Sequence, residues 1–473
     1  MTTLTAFLPE LVLLLGALAL FVVCLGEGRV ALARGVAMGV ALITLAATIA
    51  SLDQQALLFD GAYQVDLFSQ FLKVVFAGGL VLVLLVSGQL PDIRADIRPE
   101  YFLFLVLSVC GLTMLVSSVE LITLVVALEL SAFPLYLMVP MRREREGQRT
   151  QMESAIKYVM FGVVANGIML FGMSYLFGLG GTTSLAGLAL ALRPMAHSPL
   201  LIAGLALTCC GLFYKLAIFP FHFWTPDVYQ GAAHETAGLI ATLPKVGAVA
   251  VLVRLTSLID PQTETFATLL ALLAVASMFY GNLLALGQKD FKRLLGFSGI
   301  AHAGYALIGF VALDQAGYAA ALYYISGYLL MVLACFAVIF LVSREGVNVN
   351  IEDLAGLHRR SPLLAVTLLV GVFALAGIPP FVGFMGKFAL LKAALNKGHL
   401  WLVVLAVINA AIAVYYYLGV VREACFREET AAQPPIILPW SARLLCVLLI
   451  AGILGMGVAP AALLDTIATS LRP

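Results

Sequence analysis

The feature that most constrains this chain is a succession of apolar runs, each long enough to cross a lipid bilayer. Of its 473 residues, 62% are hydrophobic and 11% are charged, whereas soluble domains average about 45–50% apolar and about 25% charged residues. A water-soluble fold cannot bury this much apolar surface, so the composition excludes a soluble enzyme. The runs are continuous and do not alternate, which favours membrane-spanning helices over a β-barrel.

Charge and local motifs exclude several further classes. The net charge is +1, from 27 basic and 26 acidic residues, and so there is no basic footprint for nucleic acid. The seven cysteines include no Cys-x-x-Cys pair, and no Gly-rich nucleotide-binding motif is present. We therefore expect no metal, iron–sulfur cluster or nucleotide cofactor in this chain.

Span lengths predict an all-α polytopic membrane protein with about 14 transmembrane helices, at about 20 residues for each crossing. The first run contains Pro9 and Glu10 and has no preceding basic residue, so we interpret it as a retained helix and not as a signal peptide. The predicted spans are 4–25, 30–52, 67–90, 101–117, 119–139, 153–178, 199–230, 233–257, 265–287, 295–313, 317–343, 362–395, 398–421 and 440–468.

The connecting loops indicate the orientation. The even-numbered loops contain Arg193 and Lys397. The odd-numbered loops contain many more basic residues, namely Arg29, Arg34, Arg94, Arg98, Arg142, Arg143, Arg145, Arg149, Lys289, Lys292, Arg293, Arg344, Arg359, Arg360, Arg422 and Arg427. Because basic loops stay in the cytoplasm, this bias predicts a multi-pass protein of the cell inner membrane with both termini on the non-cytoplasmic side.

Two spans, 199–230 and 362–395, are too long for a straight crossing. At about 1.5 Å per residue they would extend about 48–51 Å, against a hydrocarbon core of about 30 Å. The first contains Phe219-Pro220-Phe221 and Pro226, and the second contains Gly377-Ile378-Pro379-Pro380. We therefore predict that both are broken helices, which a membrane protein tolerates only where protein or water satisfies the freed backbone groups.

The two breaks indicate an internal repeat. Residues 101–257 and 265–421 each hold five spans with the broken one in fourth place, and an odd number of spans makes the two copies inverted. An N-terminal three-helix segment (1–100) precedes them, and a C-terminal helix (440–468) follows. The alternative is that the breaks are two unrelated proline kinks.

Four ionisable residues fall deep within predicted spans, namely Glu129, Lys215, Lys245 and Lys387. A charged side chain at a helix centre costs roughly 2.5–3.5 kcal/mol, and so these groups must face protein or water. Two interpretations follow, either a relay that carries protons or a set of buried ion pairs that joins helices.

Proton transfer suits this selection of residues. Burial lowers the pKa of a lysine and a neighbouring carboxylate raises it again, whereas arginine stays charged in proteins. If Glu129 contacts Lys215, the pair forms a switchable proton store. His302 in span 10 and Lys157 in span 6 are further relay candidates. Their alternatives are a hydrogen-bonded packing histidine and a lysine that extends toward the membrane surface.

An ordered set of motifs between about residues 60 and 430 resembles the N subunits of respiratory complex I, the proton-pumping NADH:quinone oxidoreductase. The motifs are Glu100-Tyr101-Phe102, Leu128-Glu129-Leu130-Ser131, Pro134-Leu135-Tyr136, Glu153-Ser154-Ala155-Ile156-Lys157-Tyr158, Tyr214-Lys215, the segment from Pro220 to Gly231, Ile300-Ala301-His302-Ala303-Gly304-Tyr305, Gly377-Ile378-Pro379-Pro380, Gly383-Phe384 and Gly386-Lys387.

The resemblance implies 14 helices in two inverted repeats. It also implies roles in proton transfer for the residues that match the family's positions, namely Glu129, Lys157, Lys215, Lys245 and Lys387. It implies no redox centre here. FMN and iron–sulfur clusters belong to other subunits, which also bind NADH and quinone, and the partners are other membrane subunits, including antiporter-like neighbours, and lipids.

One segment departs from the family pattern, and two alternative functions stay open. After Gly231 the family usually has a proline-containing stretch, whereas this chain reads Ala232-Ala233-His234-Glu235-Thr236-Ala237. The departure places two ionisable residues at the start of span 8. The first alternative function is a subunit of a multi-subunit sodium/proton antiporter, and the second is a static scaffold whose charges only join helices.

Overall fold

The computed structural model describes most of the chain. The described residues are 5–26, 28–88, 90–144, 150–196, 198–258, 263–343, 346–427 and 434–471. The predicted loop residues Arg145, Arg149 and Arg344 lie outside these ranges.

The spans are helices, as the apolar runs predict. Among the described residues, twelve helices are long and apolar enough to cross a bilayer, and two shorter crossings bring the total to about 14. In chain order the spans are α1 (Leu8–Cys24), α2 (Val30–Ala50), α3 (Leu67–Ser87), α4 (Arg98–Ser117), α5 (Leu121–Met138), α6 (Thr150–Gly180), α7a (Pro199–Leu216) with α7b (Trp224–Gly231), α8 (His234–Thr256), α9 (Glu264–Ala285), α10 (Phe291–Val311), α11 (Gln315–Val342), α12a (Pro362–Ala376) with α12b (Val382–Asn396), α13 (Leu400–Phe426) and α14 (Trp440–Val458).

Both predicted breaks are present, and both first halves end in the same way. Ala217 after α7a and Gly377 after α12a adopt left-handed backbone conformations, with φ of 65° and 86°. In each case the next residue, Ile218 or Ile378, donates its N–H to a carbonyl in the last turn of the helix. This geometry stops a helix because it satisfies terminal carbonyls outside the helical pattern.

Several elements were not predicted from the apolar pattern. Residues Ala56–Leu58 and Tyr63–Val65 form an antiparallel hairpin, β1 and β2, between α2 and α3, and a short helix, Leu185–Leu192, follows α6. The predicted last span, 440–468, is in fact two helices. The first helix, α14, ends at Val458, and a separate helix, Pro460–Ser470, follows it. The first helix stops there because Pro460 cannot donate the backbone hydrogen bond that would continue it.

The centre of the bundle is formed by α8 and α10. Their most apolar stretches are buried completely within the chain, whereas those of α2, α13 and α14 are about one-third buried or less. Helices that are enclosed on all sides by protein are where polar and charged groups are tolerated in a membrane. The ionisable residues of α8 and α10 therefore lie in the interior, away from lipid.

Near the N-terminus a buried ion pair joins two helices. Lys73 Nζ of α3 lies 2.9 Å from Glu10 Oε1 of α1, and both side chains are fully buried. The two opposite charges are mutually compensated, and so this pair has the static, helix-joining character that one of the sequence interpretations proposed for all buried charges.

Replacing one partner of this pair should destabilise the chain strongly. We expect Lys73→Met to lower the free energy of unfolding by about 3–5 kcal/mol, because it leaves the Glu10 carboxylate buried and uncompensated. The double substitution Glu10→Leu with Lys73→Met should recover most of this loss. The measurement is the unfolding of the purified chain in detergent micelles.

A half-exposed pair serves as the control. Lys397 Nζ lies 3.4 Å from Asp314 Oδ2, with 40% and 34% of the two side chains exposed. Lys397→Met should cost under about 1 kcal/mol because water replaces the partner. Equal losses for Lys73→Met and Lys397→Met would contradict a special role for the buried pair.

Candidate functional site

Lys215 occupies the last turn of α7a, immediately before the first break. Its side chain is 5% exposed, and its Nζ lies 5.7 Å from the ring centroid of Tyr136 on α5. No hydrogen-bond acceptor within the described ranges contacts this ammonium nitrogen. The aromatic face is therefore its nearest favourable electrostatic contact.

Glu129 does not contact Lys215 as the sequence interpretation required for a paired store. The Glu129 side chain on α5 is half-buried, and its Oε1 accepts a hydrogen bond from the amide of Asn166 on α6. The structure, which describes both residues, places no ion pair within 4 Å between Glu129 and Lys215. The paired proton store that the sequence interpretation required is therefore not formed by direct contact in this structure.

A narrow apolar gap, too small to hold a water molecule, lies between Lys215 and α8. It touches Lys215 on one side and Pro244, the residue before Lys245, on the other. The rest of its lining is Leu112, Leu115, Leu128, Ser131, Leu212 and Ala248. The two lysines are consequently separated by mostly aliphatic side chains.

Lys245 lies midway along α8 and is 1% exposed. Its Nζ donates a 3.1 Å hydrogen bond to the carbonyl of Gly299 on α10 and lies 5.4 Å from the ring centroid of Tyr328 on α11. A Cβ atom built on Gly299 would meet Tyr328 Oη at 2.9 Å, Lys245 Nζ at 3.3 Å and Tyr229 Oη at 4.0 Å. The absent side chain of Gly299 thus leaves room for three polar groups to converge.

His302 lies one helical turn beyond Gly299 on α10. Its Nδ1 is 2.6 Å from Tyr324 Oη, and its Nε2 is 3.1 Å from Tyr417 Oη on α13. Its ring centroid is 5.1 Å from that of Tyr328. The imidazole is therefore held between two hydroxyl groups that each can donate or accept a proton.

Lys387 lies on α12b, the second half of the broken span. Its Nζ donates to the carbonyls of Leu375 and Ala376, at 3.0 and 3.1 Å, which are the last carbonyls of α12a. It also lies 4.7 Å from the ring centroid of Tyr305. A helix C-terminus presents unsatisfied carbonyls with partial negative charge, so the break supplies a site for the ammonium group.

These contacts form a row from α8 to α12b. Lys245, Tyr328, His302, Tyr305 and Lys387 follow one another at nitrogen-to-ring or ring-to-ring separations between 4.7 and 6.4 Å. Every member carries a group that can hold or pass a proton. We call this set the central row.

Sequence reasoning missed Tyr328 of the central row and the two tyrosines that contact His302. Tyr324 and Tyr328 are spaced by four residues within the apolar span α11, which places both on one helix face. That spacing was a usable signal. Tyr417 gave no comparable signal, because it is one of three consecutive tyrosines on α13.

Lys157 lies outside the central row. Its side chain is 36% exposed and forms ion pairs with Glu153 at 2.5 Å and with Asp227 at 2.6 Å. Asp227 also binds Arg293 at 2.6 Å, and so this cluster joins α6, α7b and α10. Of the six predicted site residues, the structure groups Lys245, His302 and Lys387, and leaves Glu129, Lys157 and Lys215 apart from them.

No metal site accompanies these residues in the part of the chain that the structure describes. No group of three or more His, Cys, Asp or Glu side chains there is arranged to hold a metal ion. The functional groups of the central row are amines, an imidazole and phenols, which exchange protons.

Comparisons with known proteins were made on sequence and on structure. Residues 118–413 match the family model described as NADH:quinone oxidoreductase/Mrp antiporter, TM. The chain is 64% identical over 471 residues to the NADH-quinone oxidoreductase subunit N 2 of Opitutus terrae, covering 100% of this chain and 98% of that protein.

Solved structures share the fold. A chain of respiratory complex I from Thermus thermophilus is 31% identical, with a TM-score of 0.83 over 97% of this chain and 98% of that one. A chain of the Mrp complex from Dietzia sp. has a TM-score of 0.86 over 99% and 97%, but it is 21% identical, and so it indicates the fold alone.

Because three polar groups converge at Gly299, adding a methyl group at this position should change the stability of the chain. A Gly→Ala change inside a helix ordinarily stabilises by about 0.5–1 kcal/mol. We expect Gly299→Ala instead to destabilise the chain by about 1–3 kcal/mol, because the new Cβ overlaps Tyr328 Oη and crowds Lys245 Nζ. The measurement is again unfolding in detergent.

Two variants complete the test at Gly299. Gly167→Ala on α6, where no atom lies within 4 Å of the added Cβ, should be neutral or stabilising. Tyr328→Phe removes only the overlapping hydroxyl and should relieve the cost of Gly299→Ala. A cost that persists in the double variant would show that the three groups do not converge there.

Proposed function

Because the chain belongs to the NADH-quinone oxidoreductase subunit N family, we propose that it is a proton-translocating membrane subunit of such a complex. Quinone reduction elsewhere in the complex would be coupled to proton transfer through this subunit. The family membership rests on the 64% identical relative, which is aligned over the whole chain.

The central row is the observation that carries the proton-transfer proposal. Lys245 and Lys387 are 1% and 6% exposed, and the structure puts no carboxylate within 4 Å of either ammonium group in the described ranges. A buried lysine bonded to carbonyls is poorly stabilised as a cation, so gaining and losing a proton are both accessible to it. A lysine that only joined helices would be paired, as Lys73 is with Glu10.

The remaining members of the row provide the intermediate steps. A tyrosine hydroxyl donates one proton and accepts another, and the two ring nitrogens of His302 allow uptake on one side and release on the other. The hydrogen bonds of His302 to Tyr324 and Tyr417 fix the orientation of the ring. Under this proposal a proton that leaves Lys245 reaches Lys387 through the protein interior, where the members of the row contact one another through their rings.

We place the oxidation–reduction chemistry in other subunits. FMN, iron–sulfur clusters, NADH and quinone would be bound there, and this chain would exchange protons only. Its expected neighbours are other membrane subunits, including antiporter-like ones, and lipids. Lipid contact is supported by exposed side chains such as Leu18, Ile43 and Val163 on the outer faces of α1, α2 and α6.

The orientation and the internal division are also proposals. Loops after odd-numbered spans carry most of the basic residues, which supports a cytoplasmic position for them and a non-cytoplasmic position for both termini. The matched breaks after Leu216 and Ala376 support two inverted repeats at 101–257 and 265–421.

Substituting Lys387 tests the proton-transfer proposal. In the assembled complex, we expect Lys387→Ala to lower both proton translocation and the coupled rate of quinone reduction by about tenfold or more, because the terminal amine of the row is lost. The matched control is Lys392→Ala on the same helix, whose side chain is exposed. It should leave both rates unchanged.

The same pair of variants separates the scaffold alternative. A scaffold lysine would affect the yield of assembled complex and leave the turnover of the assembled fraction intact. If Lys387→Ala complexes pump at the wild-type rate, the scaffold interpretation stands and proton transfer through this residue is wrong.

The antiporter alternative is tested by the partners of the chain. We expect the tagged protein, purified in mild detergent, to bring with it subunits that contain flavin and iron–sulfur clusters. Co-purification with small membrane subunits only, together with sodium-dependent proton exchange in vesicles, would instead support a sodium/proton antiporter.

A further inference from the structure

Glu235 is a buried carboxylate that the central row does not include. It lies in the first turn of α8 and is 1% exposed. Neither Oε1 nor Oε2 has a hydrogen-bond partner of suitable geometry within the described ranges. An ionised carboxylate left in this condition is costly, so the site favours a group that can change its protonation state.

Lys292 on α10 is a second buried ionisable group at this end of the bundle, and no carboxylate lies within 4 Å of its amine in the described ranges. Lys292 is fully buried, and its Nζ donates a 2.7 Å hydrogen bond to the carbonyl of Ala232, three residues before Glu235. The Arg142 guanidinium, by contrast, already has several hydrogen-bond acceptors. It donates to Asp92 Oδ2 at 2.6 Å and to the carbonyls of Gln230 and Gly346, each at 2.9 Å.

Several ionisable groups lie around the start of α8. Asp92 precedes α4, Arg142 follows α5, Lys292 belongs to α10, Tyr101 to α4 and His234 to α8 itself. His234 Nε2 is bonded to Ser343 Oγ at 3.0 Å and to the carbonyl of Val347 at 3.2 Å. Asp92 is paired with Arg142, and Asp290, the N-cap residue of α10, is a further carboxylate two residues before Lys292.

Glu235 lies on the same helix as Lys245 of the central row. Lys245 is ten residues further along α8, about 15 Å at 1.5 Å per residue. Tyr229 of α7b is buried, and its hydroxyl has no partner in the described part of the chain. This hydroxyl and the Lys245 amine both lie within 4.0 Å of the position that a Cβ atom on Gly299 would take.

We propose that Glu235 is a further proton-carrying residue, which takes up a proton at the basic-loop end of α8 and passes it toward Lys245. The carboxylate oxygen forms the O–H bond on uptake and breaks it on release, and the neutral Lys245 amine accepts the proton that is passed on. The carboxylate is regenerated and Lys245 becomes the cation. This inference rests on the proposed function.

The competing explanation is that Glu235 and Lys292 form a static ion pair that only holds the helices together. In that case the carboxylate would stay ionised, and its loss would reduce assembly but not the turnover of complexes that do assemble. Proton transfer and a static ion pair therefore predict different outcomes for a variant that keeps the shape of the side chain and removes its charge.

The test uses Glu235→Gln, Glu235→Asp and the control Glu352→Gln in the purified complex in vesicles. Glu352 is an exposed carboxylate in a loop at the same end of the bundle. We expect Glu235→Gln to lower proton translocation by about tenfold or more, with a loss that grows as the pH is raised and protons become scarce. Glu235→Asp should retain most of the rate, and Glu352→Gln all of it.

A Lys245→Ala complex distinguishes this inference from the proposed function. If Lys245→Ala abolishes pumping while Glu235→Gln pumps normally at every pH, the role of Glu235 is wrong and the proposed function stands. If Lys245→Ala also pumps normally, the proposed function itself fails. Should Glu235→Gln not assemble, the double variant with Lys292→Met removes the leftover charge, and normal pumping by that double variant would overturn the proposal.

Discussion

The structure depends on how a membrane protein keeps ammonium groups in its interior. Lys73 is neutralised by Glu10 at 2.9 Å, which fixes its charge. Lys245 and Lys387 instead donate to backbone carbonyls and lie over tyrosine rings. Dipoles and aromatic faces compensate a charge only partly, so these two lysines can exist with or without their proton. The kind of partner, and not burial alone, separates the structural lysine from those of the central row.

For Lys387, the break in α12 provides this partial compensation. A continuous α12 would bond the carbonyls of Leu375 and Ala376 within the helix, and Lys387 would then have no acceptor. The left-handed residue Gly377 ends α12a and leaves these carbonyls free to face α12b. The interruption therefore creates a site with partial negative charge at a depth where a carboxylate would bind the lysine too tightly to exchange protons.

The sequence predicted the spans and the breaks because both depend on local chemistry. Hydrophobic length defines a crossing, and a span that is both too long and interrupted by proline indicates a break. Proline alone does not, because Pro134 and Pro244 lie within continuous helices. The sequence did not predict the separation of Glu129 from Lys215 or the contacts of His302 with Tyr324 and Tyr417. Those depend on the rotation of each helix about its axis and on the packing between helices, which hydropathy does not encode. The continuous hydrophobic pattern of 440–468 likewise gave no indication that one helix ends at Val458 and another begins at Pro460.

A subunit that moves protons against a gradient must also prevent them from flowing back. A hydrogen-bonded row that crossed the whole membrane would conduct in both directions. In this chain the members of the central row contact one another through their rings, and the Tyr305 hydroxyl donates to the carbonyl of Ala406 at 2.7 Å. Lys215 is separated from α8 by a narrow apolar gap, and its ammonium nitrogen has no hydrogen-bond partner within the described ranges. The hydrogen bonds of the described residues therefore do not join Lys215 to Lys387, and an interrupted path of this kind does not conduct protons freely in both directions.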